Sequence, residues 1–269
     1  MPRLAANLSL LFTEEPFLDR FAAAAACGFA GVECLFPYDW PASEVARRLA
    51  DHGLTQVLIN APPGDSEAGE RGFAALPGRE ADFRDSLDRA LDYAAAVGCG
   101  RVHVMSGVAD PGTVPGTVPG PDPARLEATL VANLAWAAPV AAARGVTLMI
   151  EPLNTRDMPG YALTRSAQAA RVIDAVGAPN LALQYDFYHM QIMEGDLTRT
   201  LAARLDMIGH VQFSGVPDRN EPDDSELDIH VLLARLDALG YGGWCGAEYR
   251  PRGDTRAGLA WARGYGIEG

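Results

Sequence analysis

Short apolar runs alternate with longer amphipathic stretches from one end of the chain to the other. The runs cover residues 4–11, 31–36, 55–61, 101–106, 146–151, 181–186, 209–213 and 243–248. They are rich in β-favouring residues and give way to turn residues, as buried parallel strands do. Between them, residues 17–27, 43–52, 80–97, 124–144, 166–176, 197–205 and 229–239 carry apolar side chains at helical spacing. Most of these stretches stop at a glycine (Gly28, Gly53, Gly98, Gly145, Gly177, Gly240), the residue that caps a helix before the next strand. Eight such units with no surplus strands at either end predict an α/β fold, a closed (β/α)8 TIM barrel formed as a single domain by residues 1–269. Two connections, 62–79 and 111–120, are longer than packing requires, and both fall at the end where barrel active sites lie. The first is varied and charged, which predicts an ordered lid. The second repeats Pro-Gly-Thr-Val and reads as a duplicated mobile loop.

The runs of the second half share a chemical feature at their ends. They read Ile150-Glu151-Pro152-Leu153-Asn154, Tyr185-Asp186-Phe187-Tyr188-His189, Ile208-Gly209-His210-Val211-Gln212 and Trp244-Cys245-Gly246-Ala247-Glu248. In a barrel the C-terminal strand ends open into one cup, so Glu151, Asp186, Gln212 and Glu248 are expected to converge there. A lone Glu at a strand end is ordinarily a solvated loop-edge residue. Four oxygen donors on successive strands are harder to explain that way. Three crowded carboxylates repel one another unless a cation sits between them, and an all-oxygen set suits Mg2+ or Mn2+ better than zinc.

Composition narrows the field. A formal net charge of −13 opposes binding to nucleic acid or to anionic membranes and fits an enzyme with a small substrate. All 22 basic residues are Arg, so mechanisms built on a Schiff-base lysine or a phosphate-loop lysine are excluded. Cys27, Cys34, Cys99 and Cys245 are dispersed, without zinc spacing, and read as small buried hydrophobes of a reducing compartment. The chain enters its first strand directly, with no signal-peptide pattern and no run near the roughly 18 apolar residues of a membrane span, so a cytoplasmic protein is expected.

Nearly the whole chain resembles the hydroxypyruvate isomerase family of the xylose-isomerase-like barrels, which includes 2-oxo-tetronate isomerases. The blocks that carry the resemblance are Ala6-Asn7-Leu8-Ser9, Gly28-Phe29-Ala30-Gly31-Val32-Glu33, Phe36-Pro37-Tyr38, Gly69-Glu70-Arg71-Gly72 and Pro77-Gly78-Arg79-Glu80. The four strand-end motifs continue it, with Tyr249-Arg250-Pro251 last. Each block alone is weak; their order is specific. The resemblance implies that Glu151, Asp186, Gln212 and Glu248 are the metal ligands, with Mg2+ or Mn2+ the expected ion, and that Glu151 and Glu248 are the catalytic proton-transfer pair. The chemistry of the residues agrees. Moving a carbonyl one carbon along a hydroxyketone requires a proton to leave one carbon and reach its neighbour. A divalent cation stabilises the enediolate, and two carboxylates serve as base and acid.

The resemblance further implies that His189, three residues beyond Asp186, contacts substrate oxygen. His210 is expected to pack beneath the site, and the direction of His103 is left open. A substrate carboxylate needs a cation, for which Arg71 and Arg219 are the foremost candidates, with Arg79 and Arg250 behind them. Asn7 and Asn60 are expected to add polar substrate contacts. The chain departs from the family after the seventh run, where Glu221-Pro222-Asp223-Asp224-Ser225-Glu226 stands in place of a glycine-richer Glu-Pro-Gly-Thr-Gly-Glu-like stretch. That bears on substrate identity more than on reaction type. The leading expectation is isomerisation of hydroxypyruvate to tartronate semialdehyde (2-hydroxy-3-oxopropanoate), with a 2-oxo-tetronate as the alternative substrate. A ketose 3-epimerase, an apurinic-site endonuclease-like nuclease and a non-catalytic sugar-acid-binding barrel rank lower. The expected partner is a small hydroxy or oxo acid, with nucleic acid and membranes excluded and a homo-oligomer left open.

Overall fold

The computed structural model describes residues 2–109 and 122–269. The alternation of apolar runs and amphipathic stretches resolves into eight parallel strands: β1 (Arg3–Asn7), β2 (Gly31–Cys34), β3 (Thr55–Asn60), β4 (Arg101–His103), β5 (Thr147–Ile150), β6 (Leu181–Asp186), β7 (Ile208–Phe213) and β8 (Trp244–Ala247). They pair in chain order and β8 closes on β1, so the sheet has no edge. The helices α1 (Arg20–Ala26), α2 (Ala42–His52), α3 (Glu80–Val97), α4 (Pro123–Ala142), α5 (Ser166–Val176), α6 (Phe187–Met193), α7 (Leu197–Arg204) and α8 (Ile229–Ala238) lie between strands. At Gly53, Gly98 and Gly177 the C-cap is left-handed, the conformation glycine adopts without steric cost. The repeated Pro-Gly-Thr-Val segment lies outside the described residues.

The main apolar core fills the layer between barrel and helices. A second cluster of Ala5, Val57, Leu58, Met149 and Trp244 plugs the barrel interior. Glycines make room for that plug: a Cβ on Gly31 would lie 2.6 Å from the Trp244 ring, and one on Gly209 would lie 2.7 Å from Met149. Above the plug the inward positions turn polar. Strand register sets Gln184 beside His210, Asp186 beside Gln212, Gln212 beside Gly246, and Asn7 beside Glu33.

The 62–79 connection is ordered, as its charged sequence predicts. Glu70 accepts from the Asp65 amide at 2.7 Å and pairs with Arg79 at 2.8 Å, while Gly72 bridges to Ser106 beyond β4. No helix among the described residues is long and apolar enough to cross a membrane. The four cysteines are free and buried.

Candidate active site

The strand ends deliver the carboxylates into one buried cup. Glu151 and Glu248 stand one residue past β5 and β8, and Asp186 is the last residue of β6; all three are at most 5 % exposed. β6 runs straight into α6, and that junction fixes the environment of Asp186. Its Oδ1 caps the helix by accepting from the Tyr188 amide at 2.7 Å, leaving Oδ2 buried and without a hydrogen-bond partner. Glu151 Oε1 is likewise buried and unpartnered. His189, on the first turn of α6, brings Nε2 to 3.6 Å from Asp186 Oδ2 and 3.9 Å from Glu151 Oε1. Glu151, Asp186 and His189 each present one potential metal-ligand atom within 4.8 Å of the others.

Hydrogen-bond direction assigns a role to His189. The Asn154 backbone N–H donates to its Nδ1 at 3.1 Å, and the Asn154 amide nitrogen lies 2.7 Å from the same atom. Nδ1 is therefore an acceptor, and the proton of the neutral ring sits on Nε2, facing the acids. Burial, with Arg219 and His103 nearby, holds the imidazole neutral well below its usual range. The result is a fixed N–H donor aimed into the cup, which suits contact with a substrate oxygen better than coordination of a cation.

Arg219 covers the other side. Its backbone takes the left-handed conformation (φ 58°), uncommon for a residue with a Cβ and frequent at functional sites. The guanidinium donates from Nη2 to Glu248 Oε2 at 2.8 Å, lies 3.9 Å from Asp186 and sits 5.1 Å over the Tyr188 ring. Its Nε is buried without a partner.

Crowding shows in the protonation of the acids. Burial, then Glu248 and Asp186, drive the Glu151 carboxyl well above the usual range. Burial raises Asp186 to about 6 and Glu248 to about 8, in each case against the lowering effect of Arg219. Three buried acids with two orphaned oxygens beside a single Arg form a donor set that fits a hard divalent cation.

Gln212 lies in the same cup but is already engaged. Its Oε1 accepts from Gln184 Nε2 at 2.6 Å and its Nε2 donates to Glu33 at 2.8 Å. Gln184 Nε2 also donates to Glu151 Oε2 at 3.0 Å. Asn7 donates to Glu33 at 2.9 Å and approaches Glu248 Oε1 at 3.3 Å. His103 points inward, its Nδ1 3.5 Å from Glu151 Oε2; burial and His210 depress its pKa to about 3, so it is neutral. His210 packs beneath the site as expected, bonded to Glu33 at 2.7 Å. Asn60 is buried with its Oδ1 unpartnered.

The other arginines are turned elsewhere. Arg71 donates to the carbonyls of Ser66 and Glu70 on its own loop, and Arg79 pairs with Glu70 and Asp82. Arg250 is exposed. In the departing 221–226 stretch, Glu221 accepts from the Arg252 amide, and Asp223 and Asp224 lie within 3.9 Å of the Arg252 guanidinium rather than facing the acids.

Residues 21–265 match the family described as xylose isomerase-like TIM barrel. A 2-oxo-tetronate isomerase of Cupriavidus necator is 55 % identical over 98 % of this chain and 99 % of its own length. The hydroxypyruvate isomerase of Escherichia coli K12 is 44 % identical over 98 % of this chain and 100 % of its own. A crystal structure described as AP endonuclease, family 2, from Brucella melitensis superposes with a TM-score of 0.93 at 50 % identity, covering 98 % of this chain and 99 % of that one. The chain belongs to the xylose isomerase-like TIM barrel family and is an isomerase of the hydroxypyruvate isomerase type.

Proposed function

We propose that the protein is a divalent-metal-dependent aldose–ketose isomerase acting on a short 2-oxo acid with a hydroxyl on the next carbon. Hydroxypyruvate, converted to 2-hydroxy-3-oxopropanoate, is the smallest such acid. The single observation that carries the reading is the pair of buried, unpartnered oxygens, Glu151 Oε1 and Asp186 Oδ2, in a cup of three acids beneath one arginine. Glu151, Asp186, Gln212 and Glu248 would hold Mg2+ or Mn2+, which when bound supplies the positive charge that an enediolate requires.

The chain's own residues supply the rest. Glu151 and Glu248 project from β5 and β8, so one can take the proton from the hydroxylated carbon while the other delivers one to its neighbour, the hydroxyl proton passing to the former carbonyl oxygen. A carboxylate can accept a proton from one carbon, and its acid form can give one to the next. The His189 Nε2–H holds a substrate oxygen. Arg219, with a free Nε–H beside the acids, reads the substrate carboxylate; Asn7 steadies Glu248, and Asn60 offers a free carbonyl at the wall.

A 2-oxo-tetronate as substrate is favoured by the relatives of that name at 55 % and 46 % identity. It presents the same reacting atoms and the same carboxylate. A nuclease reading, raised by the name of the Brucella melitensis structure, conflicts with a net charge of −13 and a cup of buried acids, which repel a phosphate backbone. The test is a coupled assay of metal-stripped protein against hydroxypyruvate, a 2-oxo-tetronate and a free ketose, each with and without Mg2+ or Mn2+. Full turnover in EDTA refutes the metal. Preference for the free ketose refutes the acid substrate.

A further inference from the structure

Glu33 has no role in the chemistry above, yet it is a buried carboxylate, 1 % exposed, at the centre of the polar layer under the acids. Three side chains converge on it. Oε1 accepts from Asn7 Nδ2 at 2.9 Å and from Gln212 Nε2 at 2.8 Å, and Oε2 lies 2.7 Å from His210 Nε2. A carboxylate only accepts, so the contact fixes the NH2 end of Gln212 towards Glu33 and its carbonyl away from it. That carbonyl meets Gln184, whose NH2 also holds Glu151, while Asn7 reaches Glu248. The chain leaves space for the hub: a Cβ on Gly246 would lie 2.4–2.5 Å from the Glu33 carboxyl atoms.

We propose that Glu33 is a positioning residue: its carboxylate fixes the amide orientation of Gln212, and so presents that carbonyl to the cation, while steadying Glu248 through Asn7. The inference rests on the reading of Gln212 as a metal ligand, which is checked separately. Gln at position 33 can do the same work, since its carbonyl accepts from both amides while its NH2 donates to His210 Nε2, the ring proton moving to the unpartnered Nδ1. A side chain without an acceptor cannot.

The experiment is Mn2+ titration, followed by the EPR signal of the free ion, with thermal unfolding on the same samples. Wild type and Gln212→Ala come first. If wild type does not bind Mn2+, or Gln212→Ala binds as tightly as wild type, the metal-site reading fails before Glu33 is reached. Given that reading, Glu33→Met should bind about 10- to 100-fold more weakly, the usual effect of removing a residue that orients a ligand. Glu33→Gln should stay within about threefold of wild type on the same scale. Wild-type affinity in Glu33→Met, or equal losses in Met and Gln, overturns the proposal, the latter by showing that charge rather than acceptor geometry matters. Should Glu33→Met fail to fold, Gly246→Ala decides, because it displaces the carboxylate without removing it. Weakened binding in a folded Gly246→Ala protein supports the proposal. Wild-type binding there, or failure of both variants to fold, overturns it.

Discussion

At Glu151 and Glu248, replacing one oxygen by an NH2 removes the proton acceptor, and with it one negative charge of the proposed cation site. Glu151→Gln and Glu248→Gln are each expected to fold and to lose about 10²- to 10⁴-fold in turnover. A variant keeping more than a tenth of wild-type kcat removes that residue from the proton-transfer pair. The two candidate carboxylate readers should separate just as clearly. Arg219 stands over the acids, whereas Arg71 is spent on the carbonyls of Ser66 and Glu70. Arg219→Ala should lower kcat/KM for the acid substrate about ten- to hundred-fold, the worth of a charge-assisted hydrogen bond, and affect an uncharged ketose far less. Arg71→Ala should leave both near wild type; equal losses for the two substrates in Arg219→Ala would mean that Arg219 shapes the cup without reading charge. Glu151, Asp186 and Glu248 were legible in the sequence because each closes an apolar run. Glu33 also sits in such a run, but a buried acid two residues into a strand reads like any polar interruption until Asn7, His210 and Gln212, distant in sequence, are brought around it. Which arginine faces the site was not legible, because Arg71 and Arg219 both follow strands and differ only in what their loops offer them.

Among the elements, the strand–helix alternation was plain because its two periods differ, and α5 and α3 begin and end where the pattern places them. Some strands stop earlier than their apolar runs: β1 ends at Asn7 and β4 at His103, because the remaining apolar residues turn into loops that pack over the strand ends. Helix α6 escaped the pattern altogether. It has seven residues, follows β6 without a turn, and is buried over its first turn, so it shows neither a breaker nor an amphipathic face. Its start is decided by the Asp186 cap, a contact that also orients His189. Element packing gives a contrast between two glycines. Gly31→Ala would drive a Cβ to 2.6 Å from the Trp244 ring in the barrel plug, whereas a Cβ on Gly53 meets nothing within 4 Å. Overpacking of this kind costs about 1–3 kcal/mol. Gly53→Ala should cost about 1 kcal/mol, for a left-handed φ alone. Chemical denaturation of both variants checks this; Gly31→Ala as stable as wild type would mean that the plug is loose enough to shift.

For the whole molecule, the crowded acids couple stability to pH and metal. In the metal-free fold, burial and mutual repulsion keep protons on Glu151 and on Glu248, the latter up to about 8, while in the unfolded chain both are ionised well below neutrality. Between pH 7 and 8 the folded state thus binds more protons than the unfolded one, and stability must fall as pH rises, by about 1.4 kcal/mol per pH unit for each proton held. Below about 6.5 the slope flattens, because His103 and His189 are buried neutral and the protons they refuse, taken up by the unfolded chain, offset part of those held by the acids. Between pH 7 and 8 ordinary carboxylates are already ionised, while the four cysteines, whose thiols burial pushes up, add to the fall as pH nears 8. Thermal unfolding of EDTA-dialysed protein should give a Tm that drops by about 2–4 °C for each such proton on going from pH 7 to pH 8. Saturating Mg2+ should raise Tm at both pH values and more at pH 8, because the cation binds the ionised acids and stabilises only the folded state. A metal-free Tm that is flat or rising over this interval would show that the acids are ionised without a cation, with Arg219 alone sufficient to compensate them.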